Sequence, residues 1–417
     1  MKITSLGAGQ EVGRSAFVIN IDGKNILFDY GVKIFDKTNL PQYPLSFSQP
    51  IDLTLISHAH LDHIGHLPAL YKEHRNMEWI STPPTIDIGE VLWKDAIKLA
   101  KIKRKEIPYT HKTIEKAKIN WHPALYNQVI EKKGLNIQFY DAGHILGSAS
   151  ISVESGNTRI IYSGDYKGSP TELHTGLEHP GEADVLLTEA TYWDKEHPKR
   201  KDAEMKLIES IKEIHDNGGI ALIAAFALGR TQEIAKIVTK YTNYPVFIDG
   251  MGKEITKIYL KYPGYLKDFI DFKNNVEKAH IIMSNKDRKR ALNTDNAVII
   301  TTAGMLEGGP ILYYVQNTRP NSGIILTGYQ VEGSNGRLLL DEGKLRIDEH
   351  TLNIDMPVYH IDFSAHAGRS ELLYYVKKAN PEHVIVEHVD GGNEFVNELK
   401  NLGFNAIAIK TGQTLKI

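Results

Sequence analysis

Six consecutive residues, His-Ala-His-Leu-Asp-His at positions 58–63, crowd four potential metal ligands into one short segment. An apolar run of strand length precedes the segment at residues 51–57, and apolar residues at helical spacing follow it. The segment is therefore expected on a strand-to-helix loop. Its metal-binding side chains are those of His58, His60, Asp62 and His63. Zinc takes such ligands in a roughly tetrahedral shell. Because four ligands so close in sequence cannot all surround one ion, the pattern favours two adjacent ions over a run of solvated histidines.

Composition limits the alternatives. The 417 residues include 49 basic and 51 acidic ones, which gives a formal net charge of -2, so nucleic acid would have to be attracted by local patches. The chain has no cysteine, so metal binding falls to His and Asp and disulfides are excluded. Neither a signal peptide nor an apolar run of membrane-spanning length is evident. We expect a cytoplasmic protein that does not enter a membrane.

The pattern of expected strands and helices changes twice along the chain. Short strand-like runs dominate up to about residue 194, with helices expected at 62–73, 85–102 and 114–133. Strands then alternate with helices as in βαβ units, and after about residue 345 the earlier composition returns. The pattern predicts an α/β protein with a first domain at 1–194, an inserted domain at 195–345 and a completing segment at 346–417.

Three distant residues extend the metal-binding pattern. His144, Asp165 and His388 each follow a strand-like apolar run, and glycine directly precedes the first two. The C-terminal ends of strands are the usual edge for a site in a sheet-based fold. A lone His or Asp at such an end is more often structural, but together with residues 58–63 these three favour a shared metal centre.

These motifs, in this order, resemble the metallo-β-lactamase fold, and the later ones resemble its β-CASP branch of nucleases. The carrying segments are TEATY at 188–192, DFSAHA at 362–367, His388, FALGRTQE at 226–233, AGMLEGG at 303–309 and GYQVEG at 328–333. The resemblance spans nearly the whole chain and is strongest to archaeal homologues of the cleavage-and-polyadenylation-factor endonuclease, in their short form without KH domains. It implies an αββα sandwich with an inserted β-CASP domain, whose parallel sheet is flanked by helices.

The resemblance also implies a ligand set for two zinc ions per chain. His58, His60 and His144 would hold one ion; Asp62, His63 and His388 would hold the other; and Asp165 would bridge them. Asp29, after a strand, would orient the histidine loop from behind. Paired zinc ions lower the pKa of a shared water and clamp both the attacking and the leaving oxygen.

Catalytic roles follow from the same resemblance. His366 would be the general acid for the leaving 3′ oxygen, since imidazole titrates near neutral pH. Glu189 beside it would keep it charged, and Asp62 counts among the catalytic residues as well as the ligands. Two positions depart from the family pattern. Gly368 stands where an acidic residue is usual, and the segment around His388 reads Glu-His-Val-Asp-Gly.

Several glycine-rich turns of the insert could approach RNA phosphates. Arg230 follows Gly229 at a strand-to-helix turn, an arrangement that suits anion binding. The predicted phosphate-binding residues are Arg230, Gly304, Met305, Gly328 and Gly333. Ordinary turns are the alternative. The basic runs at 98–105 and 286–290 could line an RNA groove, although a solvated helix face is slightly favoured. The opening glycine loop at 7–13 fails dinucleotide spacing, so no nucleotide cofactor is expected.

The leading hypothesis is a zinc-dependent ribonuclease that cleaves single-stranded RNA in RNA processing or decay. It would leave 3′-hydroxyl and 5′-phosphate ends, because water attacks. Cleavage would be endonucleolytic, with 5′-to-3′ exonucleolytic action left open. The alternatives are a DNA nuclease, another hydrolase of the metallo-β-lactamase fold, or a non-catalytic subunit of an RNA-processing complex. The resemblance leaves open a homodimer and membership of an RNA-processing or degradation complex.

Overall fold

The computed structural model describes residues 1–34, 40–347 and 350–417, and these divide into two compact units. The first unit comprises Met1–Pro170, His174–Glu196 and Ala365–Ile417; the second comprises Thr171–Leu173 and His197–Ser364. The domain limits 1–194, 195–345 and 346–417 stay a prediction. The second unit runs on to Ser364 because the strand Val358–His360 pairs in its sheet.

The strands alternate between the units in blocks along the chain. The first unit contributes β1 (Lys2–Gly7), β2 (Ala16–Ile21), β3 (Lys24–Phe28), β4 (Leu53–Leu55), β5 (Trp79–Ser81), β6 (Trp121–Pro123), β7 (Ile130–Lys132), β8 (Leu135–Asp141), β9 (Ala149–Ser155), β10 (Thr158–Tyr162) and β11 (Val185–Glu189). The second contributes β12 (Ala221–Ala224), β13 (Val246–Asp249), β14 (His280–Ile281), β15 (Val298–Thr301), β16 (Gly323–Leu326), β17 (Lys344–Ile347), β18 (His350–Asn353) and β19 (Val358–His360). The first unit is completed by β20 (His383–Glu387), β21 (Ala406–Ala408) and β22 (Thr414–Lys416).

The helices follow the same order. The first unit begins with α1 (Leu61–Ile64), α2 (Leu67–Leu70), α3 (Pro83–Ile102) and α4 (His111–Ile119). The second unit holds α5 (Arg200–Asp216), α6 (Arg230–Tyr241), α7 (Gly252–Tyr259), a 3₁₀ turn (Pro263–Tyr265), α8 (Phe269–Val276), α9 (Asn285–Leu292), α10 (Pro310–Asn317) and α11 (Asn335–Glu342). The chain ends in the first unit with α12 (Arg369–Ala379) and α13 (Asn393–Asn401). Over the described ranges, no helix combines the length and the apolar character needed to cross a membrane.

The first unit is a four-layered αββα sandwich, as predicted. Its two seven-stranded sheets have the orders β22-β1-β2-β3-β4-β5-β6 and β21-β20-β11-β10-β9-β8-β7. Alternate residues of a strand face opposite ways. Phe17 and Ile19 therefore join the core between the sheets, whereas Val18 joins the layer that includes Trp93 of α3. Residues of α12 and α13 cover the outer face of the second sheet.

The second unit is built on a parallel sheet, again as predicted. Its order is β14-β13-β15-β12-β16-β19, and every pairing within it is parallel. The central strands β12, β13, β15 and β16 are buried along their whole length. Strands covered on both faces read as continuous apolar runs, which is how the sequence identified them.

Two predicted helices were wrong. The stretch 62–73 forms the two short helices α1 and α2 instead of one helix. The stretch 114–133 holds only the end of α4, which stops at Ile119, followed by β6 and β7. Pro123 cannot donate a helical hydrogen bond. Residues 121–123 pair instead with β5 at the edge of the first sheet.

Candidate metal centre

The predicted ligands gather at one edge of the first unit because their strands run the same way. The strands β10, β11 and β20 are mutually parallel. The strand β8 runs in the same direction, because β9 is antiparallel both to β8 and to β10. His144 follows β8, Asp165 follows β10, and His388 follows β20, while the HAHLDH segment joins β4 to α1. Gly164 has a φ of +53°, and a Cβ there would lie 2.7 Å from the Cβ of Ser57. That glycine lets Asp165 approach the histidine loop.

One set of ligand atoms comes from His58, His60, His144 and Asp165, all within 4.8 Å of one another. His60 Nδ1 lies 3.2 Å from His58 Nε2 and 3.0 Å from His144 Nε2. Asp165 Oδ2 lies 3.5 Å from His58 Nε2 and 3.6 Å from His144 Nε2. Three imidazole nitrogens and one carboxylate oxygen thus face a common point.

A second set comes from Asp62, His63 and His388, again within 4.8 Å. Asp62 Oδ2 lies 3.3 Å from His388 Nε2 and 4.0 Å from His63 Nε2. Asp165 Oδ1 lies 3.3 Å from His63 Nε2, so the two oxygens of Asp165 face different sets. The first histidine tract and the late His388, 325 positions after His63, therefore share one cluster.

The cluster is compatible with a metal site. His63 Nε2 and Asp165 Oδ1 are buried 3.3 Å from each other, yet neither makes a hydrogen bond of normal geometry within the described part of the chain. A buried polar atom that lacks a hydrogen bond costs roughly 1–3 kcal/mol, and a bound ion would satisfy both atoms. Imidazole nitrogens and carboxylate oxygens are ligands that a divalent ion such as zinc accepts. These residues fit such an ion, and the role of each as a ligand stays a prediction.

Asp29 holds the histidine loop from behind. It accepts hydrogen bonds from Ser57 N at 2.7 Å, Ser57 Oγ at 2.7 Å and Tyr162 Oη at 2.8 Å. His63 Nδ1 lies 2.7 Å from Asp29 Oδ2, which leaves Nε2 facing the cluster. His144 Nδ1 lies 2.7 Å from the carbonyl oxygen of Ala365, which leaves the Nε2 atom of His144 facing the cluster as well. Such partners fix the tautomer and the direction of a ligating imidazole.

Electrostatics separate the histidines into two groups. Burial lowers the pKa of His58 and His144, and it lowers that of His60 to about 4. Burial also opposes protonation of His63 and His388, but nearby carboxylates, Asp165 first, outweigh it and raise both pKa values, to about 9 for His388. Metal ligation needs neutral imidazole. The first three histidines are therefore ready to ligate, whereas metal binding at the second set would release protons.

The carboxyl group of Asp165 also has a shifted pKa that suits metal binding. Burial alone would raise its pKa, but the charges of His63, His388 and His366 lower it well below the usual range. The carboxylate therefore stays ionised at the centre of the cluster, where a bridging position would need it.

His366 and Glu189 form a pair at the side of the cluster. His366 Nδ1 lies 2.9 Å from Glu189 Oε2, and His366 Nε2 lies 3.9 Å from Asp165 Oδ2. Burial lowers the pKa of His366, but Glu189 and then Asp165 outweigh it and raise the value. The His366 side chain is 21% exposed, whereas His58, His63 and His144 are almost fully buried. A protonated Nε2 on this partly exposed side chain would be able to donate a proton beside the cluster.

Sequence reasoning missed the residues that fix this pair. Glu189 Oε1 accepts a hydrogen bond from Tyr166 N at 2.9 Å, and Oε2 accepts one from Thr191 Oγ1 at 2.6 Å. Thr191 Oγ1 also lies 3.2 Å from His388 Nδ1. Thr191 thus links the pair to the cluster, and only its place in the TEATY segment could have indicated it.

Glu371 was missed as well, and it bears on the departure at Gly368. Its Oε2 accepts hydrogen bonds from Gly368 N at 3.1 Å and Lys167 Nζ at 2.8 Å, and its Oε1 accepts one from Ser169 N at 2.6 Å. This carboxylate ties the segment after Asp165 to the segment after His366. Gly368 directly precedes α12 and Glu371 is its third residue, which is the spacing of a capping box and could have revealed the role of Glu371.

The opening glycine loop at residues 7–13 contacts the turn that contains His388. Ala8 O accepts a hydrogen bond from His388 N at 2.9 Å, and Asp390 Oδ1 accepts one from Val12 N at 3.3 Å. His388 has a φ of +49°, a strained backbone region for a residue with a Cβ. The loop at 7–13 therefore holds both flanks of the His388 turn.

The predicted phosphate-binding residues all lie in the second unit. Arg230 opens α6, is buried and pairs with Glu233, so its charge is already engaged. Gly304 and Met305 follow β15, and Gly328 and Gly333 follow β16. A Cβ on Gly328 would lie 2.7 Å from the ring of Phe226, which gives that glycine a packing role. Contact between these five predicted residues and RNA phosphates stays a prediction.

A sandwich of this kind with His and Asp at its strand ends defines a metallo-β-lactamase fold, and family models agree. A metallo-beta-lactamase superfamily domain matches residues 18–176, a Beta-Casp domain matches 231–339, and a Zn-dependent metallo-hydrolase RNA specificity domain matches 351–407. The chain belongs to the β-CASP family of the metallo-β-lactamase superfamily.

Named relatives include two archaeal RNases. The chain is 38% identical over 431 residues to "Probable RNase MJ4" of Methanocaldococcus jannaschii, with both chains fully covered. It is 35% identical over 422 residues to "RNase aCSPSF2" of Saccharolobus solfataricus, covering 99% of this chain and 84% of the relative. A crystal structure of a protein of unknown function from Enterococcus faecalis V583 matches with a TM-score of 0.68 at 14% identity, covering 100% of this chain and 99% of that one. This last likeness concerns the fold alone.

Proposed function

We propose that this chain is a zinc-dependent ribonuclease that hydrolyses phosphodiester bonds of single-stranded RNA in RNA processing or decay. The observation that carries the proposal is the convergence of seven ligand candidates beside the His366–Glu189 pair. The names of the two archaeal relatives and the match to an RNA specificity domain support RNA as the substrate.

The distances between the candidate ligands would divide them between two zinc ions. His58, His60 and His144 would hold one ion and Asp62, His63 and His388 the other, with one oxygen of Asp165 toward each. When bound, paired ions lower the pKa of a water to near neutrality and stabilise charge on the phosphate. Asp29 keeps the Nε2 atom of His63 directed at that place.

The chain's own acid completes the reaction. His366 carries a proton on Nε2 and donates it to the departing 3′ oxygen, while Glu189 holds the ring through Nδ1. Water supplies the attacking oxygen, so the products carry 3′-hydroxyl and 5′-phosphate ends. Asp62 acts within the ligand set, where its pKa is lowered against burial by His63 and His388.

Further features are proposed on the family resemblance. Arg230, Gly304, Met305, Gly328 and Gly333 would contact substrate phosphates from the second unit. The protein would work in the cytoplasm, as a homodimer or within an RNA-processing or degradation complex. Endonucleolytic cleavage is the primary mode, and 5′-to-3′ exonucleolytic action is the second.

The test compares single-stranded RNA cleavage by the wild type with that by Asp165→Ala and His388→Ala. Each substitution removes a ligand, so we expect the rate to fall roughly a thousandfold or more while the fold persists. Asp194→Ala, an exposed acidic residue outside the cluster, is the matched control and should cleave normally. Substantial residual activity in either ligand variant would count against the two-metal arrangement.

Substrate panels separate the alternatives. Cleavage of circular RNA requires internal attack, whereas cleavage confined to linear 5′-monophosphate RNA would leave only the exonucleolytic mode. Preference for single-stranded DNA or for a chromogenic lactam over RNA would replace the ribonuclease proposal by another hydrolase of this fold.

A further inference from the structure

Positive charge is concentrated at one place on the first unit. Residues 98–112, the basic tip, comprise the end of α3, the connecting loop and the start of α4. They include six Lys or Arg residues and one acidic residue, a net charge of +5, although the chain as a whole carries -2. The remaining residues therefore carry -7, so the tip is a locally basic part of a mildly acidic protein and can attract anions.

The charges of the basic tip face solvent. Lys98, Lys101, Lys103 and Arg104 are all exposed, and no ion pair within 4.0 Å engages them among the described residues. In the other basic run, Arg288 of α9 pairs with the buried Asp249 at 2.6 Å, which leaves three exposed cations, Lys286, Lys289 and Arg290. Cations that are not neutralised by the protein remain available to a partner.

Apolar side chains are interspersed among these cations. Leu99 is 45% exposed and Ile102 is 66% exposed, both within the same stretch of α3. Single-stranded RNA presents phosphates together with the faces of unstacked bases. A surface that mixes cations with exposed aliphatic side chains can contact both.

Helix α3, which ends in the basic tip, is tied by hydrogen bonds to the segments that carry the candidate metal ligands. Trp93 of α3 donates from Nε1 to the carbonyl oxygen of Ile64 at 3.0 Å, directly after His63. At the start of α3, Thr82 Oγ1 donates to the carbonyl oxygen of Gly147 at 2.6 Å, in the loop that contains His144. At 1.5 Å per residue, α3 carries the tip about 27 Å from that loop.

We propose that the basic tip is a second anchoring surface for single-stranded RNA, which holds the strand about 27 Å along α3 from the loop that contains His144. The proposal rests on the ribonuclease function proposed above. It explains how a chain of net charge -2 can bind a polyanion: the tip would hold one part of the RNA while another part lies at the metal cluster.

The test replaces four charges: Lys98→Gln, Lys101→Gln, Lys103→Gln and Arg104→Gln. A matched control carries Lys377→Gln, Lys378→Gln, Lys400→Gln and Lys410→Gln, which removes the same charge from exposed positions in the C-terminal part of the same unit. Both sets are placed in the Asp165→Ala background, so that RNA is not cut during the binding measurement.

The measured quantities are the Kd for a long single-stranded RNA and its salt dependence. We expect the tip variant to bind at least about tenfold more weakly, with the slope of log Kd against log salt reduced by about 0.7 for each RNA phosphate that the variant no longer neutralises. The control should match its parent. Equal RNA binding by the tip variant and the control would overturn the proposal. Binding to phosphatidylserine vesicles and to an acidic protein is measured in parallel, and a loss of affinity for one of these without a loss for RNA would also overturn it.

Cleavage assays with otherwise wild-type residues separate this proposal from the ribonuclease proposal. The tip variant should cleave long RNA more slowly at low substrate concentration yet hydrolyse a dinucleotide at the wild-type rate, because a dinucleotide cannot reach the tip. A wild type that cleaves no RNA would defeat the ribonuclease function, whereas the Kd comparison would still decide whether the tip binds RNA. An equal fall in rate on both substrates would show damage to the metal site and contradict the anchoring role.

Discussion

At the scale of single residues, two candidate ligand histidines depend on partners outside the cluster that fix their direction. His63 points Nε2 at the cluster because its Nδ1 is held by Asp29, and His144 does so because its Nδ1 meets the carbonyl of Ala365. His366 has the same arrangement with Glu189, but its side chain is partly exposed. The geometry is therefore consistent with the predicted division between candidate metal-ligand imidazoles and one candidate proton donor.

A double-mutant cycle tests that division of roles. We expect His366→Ala to slow the chemical step by about 10²–10⁴-fold and Glu189→Gln to slow it by less, because Glu189 acts through His366. The double variant should be no slower than His366→Ala alone, since residues that act as a unit are not additive. Single-turnover rates on RNA would show this. Effects that multiply in the double variant would mean that Glu189 acts independently.

The sequence could predict the positions of His144, Asp165 and His388 because strand ends in a sheet share an edge. It could not predict Thr191 or Glu371, since their roles come from side-chain directions that no spacing along the chain encodes. Glu371 lies only three residues after the position where an acid was expected. Its contacts with Lys167 and Ser169 depend on a loop some 200 residues earlier.

At the scale of elements, the ends of strands and helices decide both the site and the errors of prediction. The helix expected at 114–133 fails because periodicity took no account of Pro123, which ends helical hydrogen bonding. The buried strands of the second unit were predicted well, because continuous apolar runs leave few alternatives. Strand ends also place ionisable groups in unusual surroundings, as Asp141 shows.

Asp141, the last residue of β8, gives a pH-dependent test. Burial raises the pKa of its carboxyl to about 7, with Gly143 N–H opposing and Glu178 reinforcing the shift. The folded state then keeps a proton that the unfolded state releases near pH 4, so this group costs stability increasingly as pH rises from about 4 to about 7. Asp141→Asn cannot ionise and still offers an oxygen to Gly143 N, which now donates at 2.8 Å.

We therefore expect Asp141→Asn to raise Tm by at least about 2 °C near pH 8 and to leave it almost unchanged near pH 4. Thermal unfolding followed by circular dichroism at both pH values would measure the difference. A Tm gap of equal size at both pH values would mean that ionisation of Asp141 plays no part.

At the scale of the whole molecule, the chain's two ends meet in one unit. The strand β22 pairs with β1, and Met1 N donates to the carbonyl oxygen of Ile417 at 2.8 Å. The strand β20, which leads to His388, lies between β11 and β21 in the second sheet. The return of the early composition after residue 345 indicated this completion. The exact crossing points, Glu196 and Ala365, depend on tertiary packing and could not be read from composition.

The claim on which the rest depends is that residues from both ends of the chain hold two metal ions together. The most direct measurement is the metal content of the purified protein after dialysis, by elemental analysis, for the wild type and His388→Ala. We predict about two zinc ions per chain in the wild type and about one in the variant. Less than one zinc per wild-type chain, or an unchanged content in the variant, would contradict the shared two-metal centre.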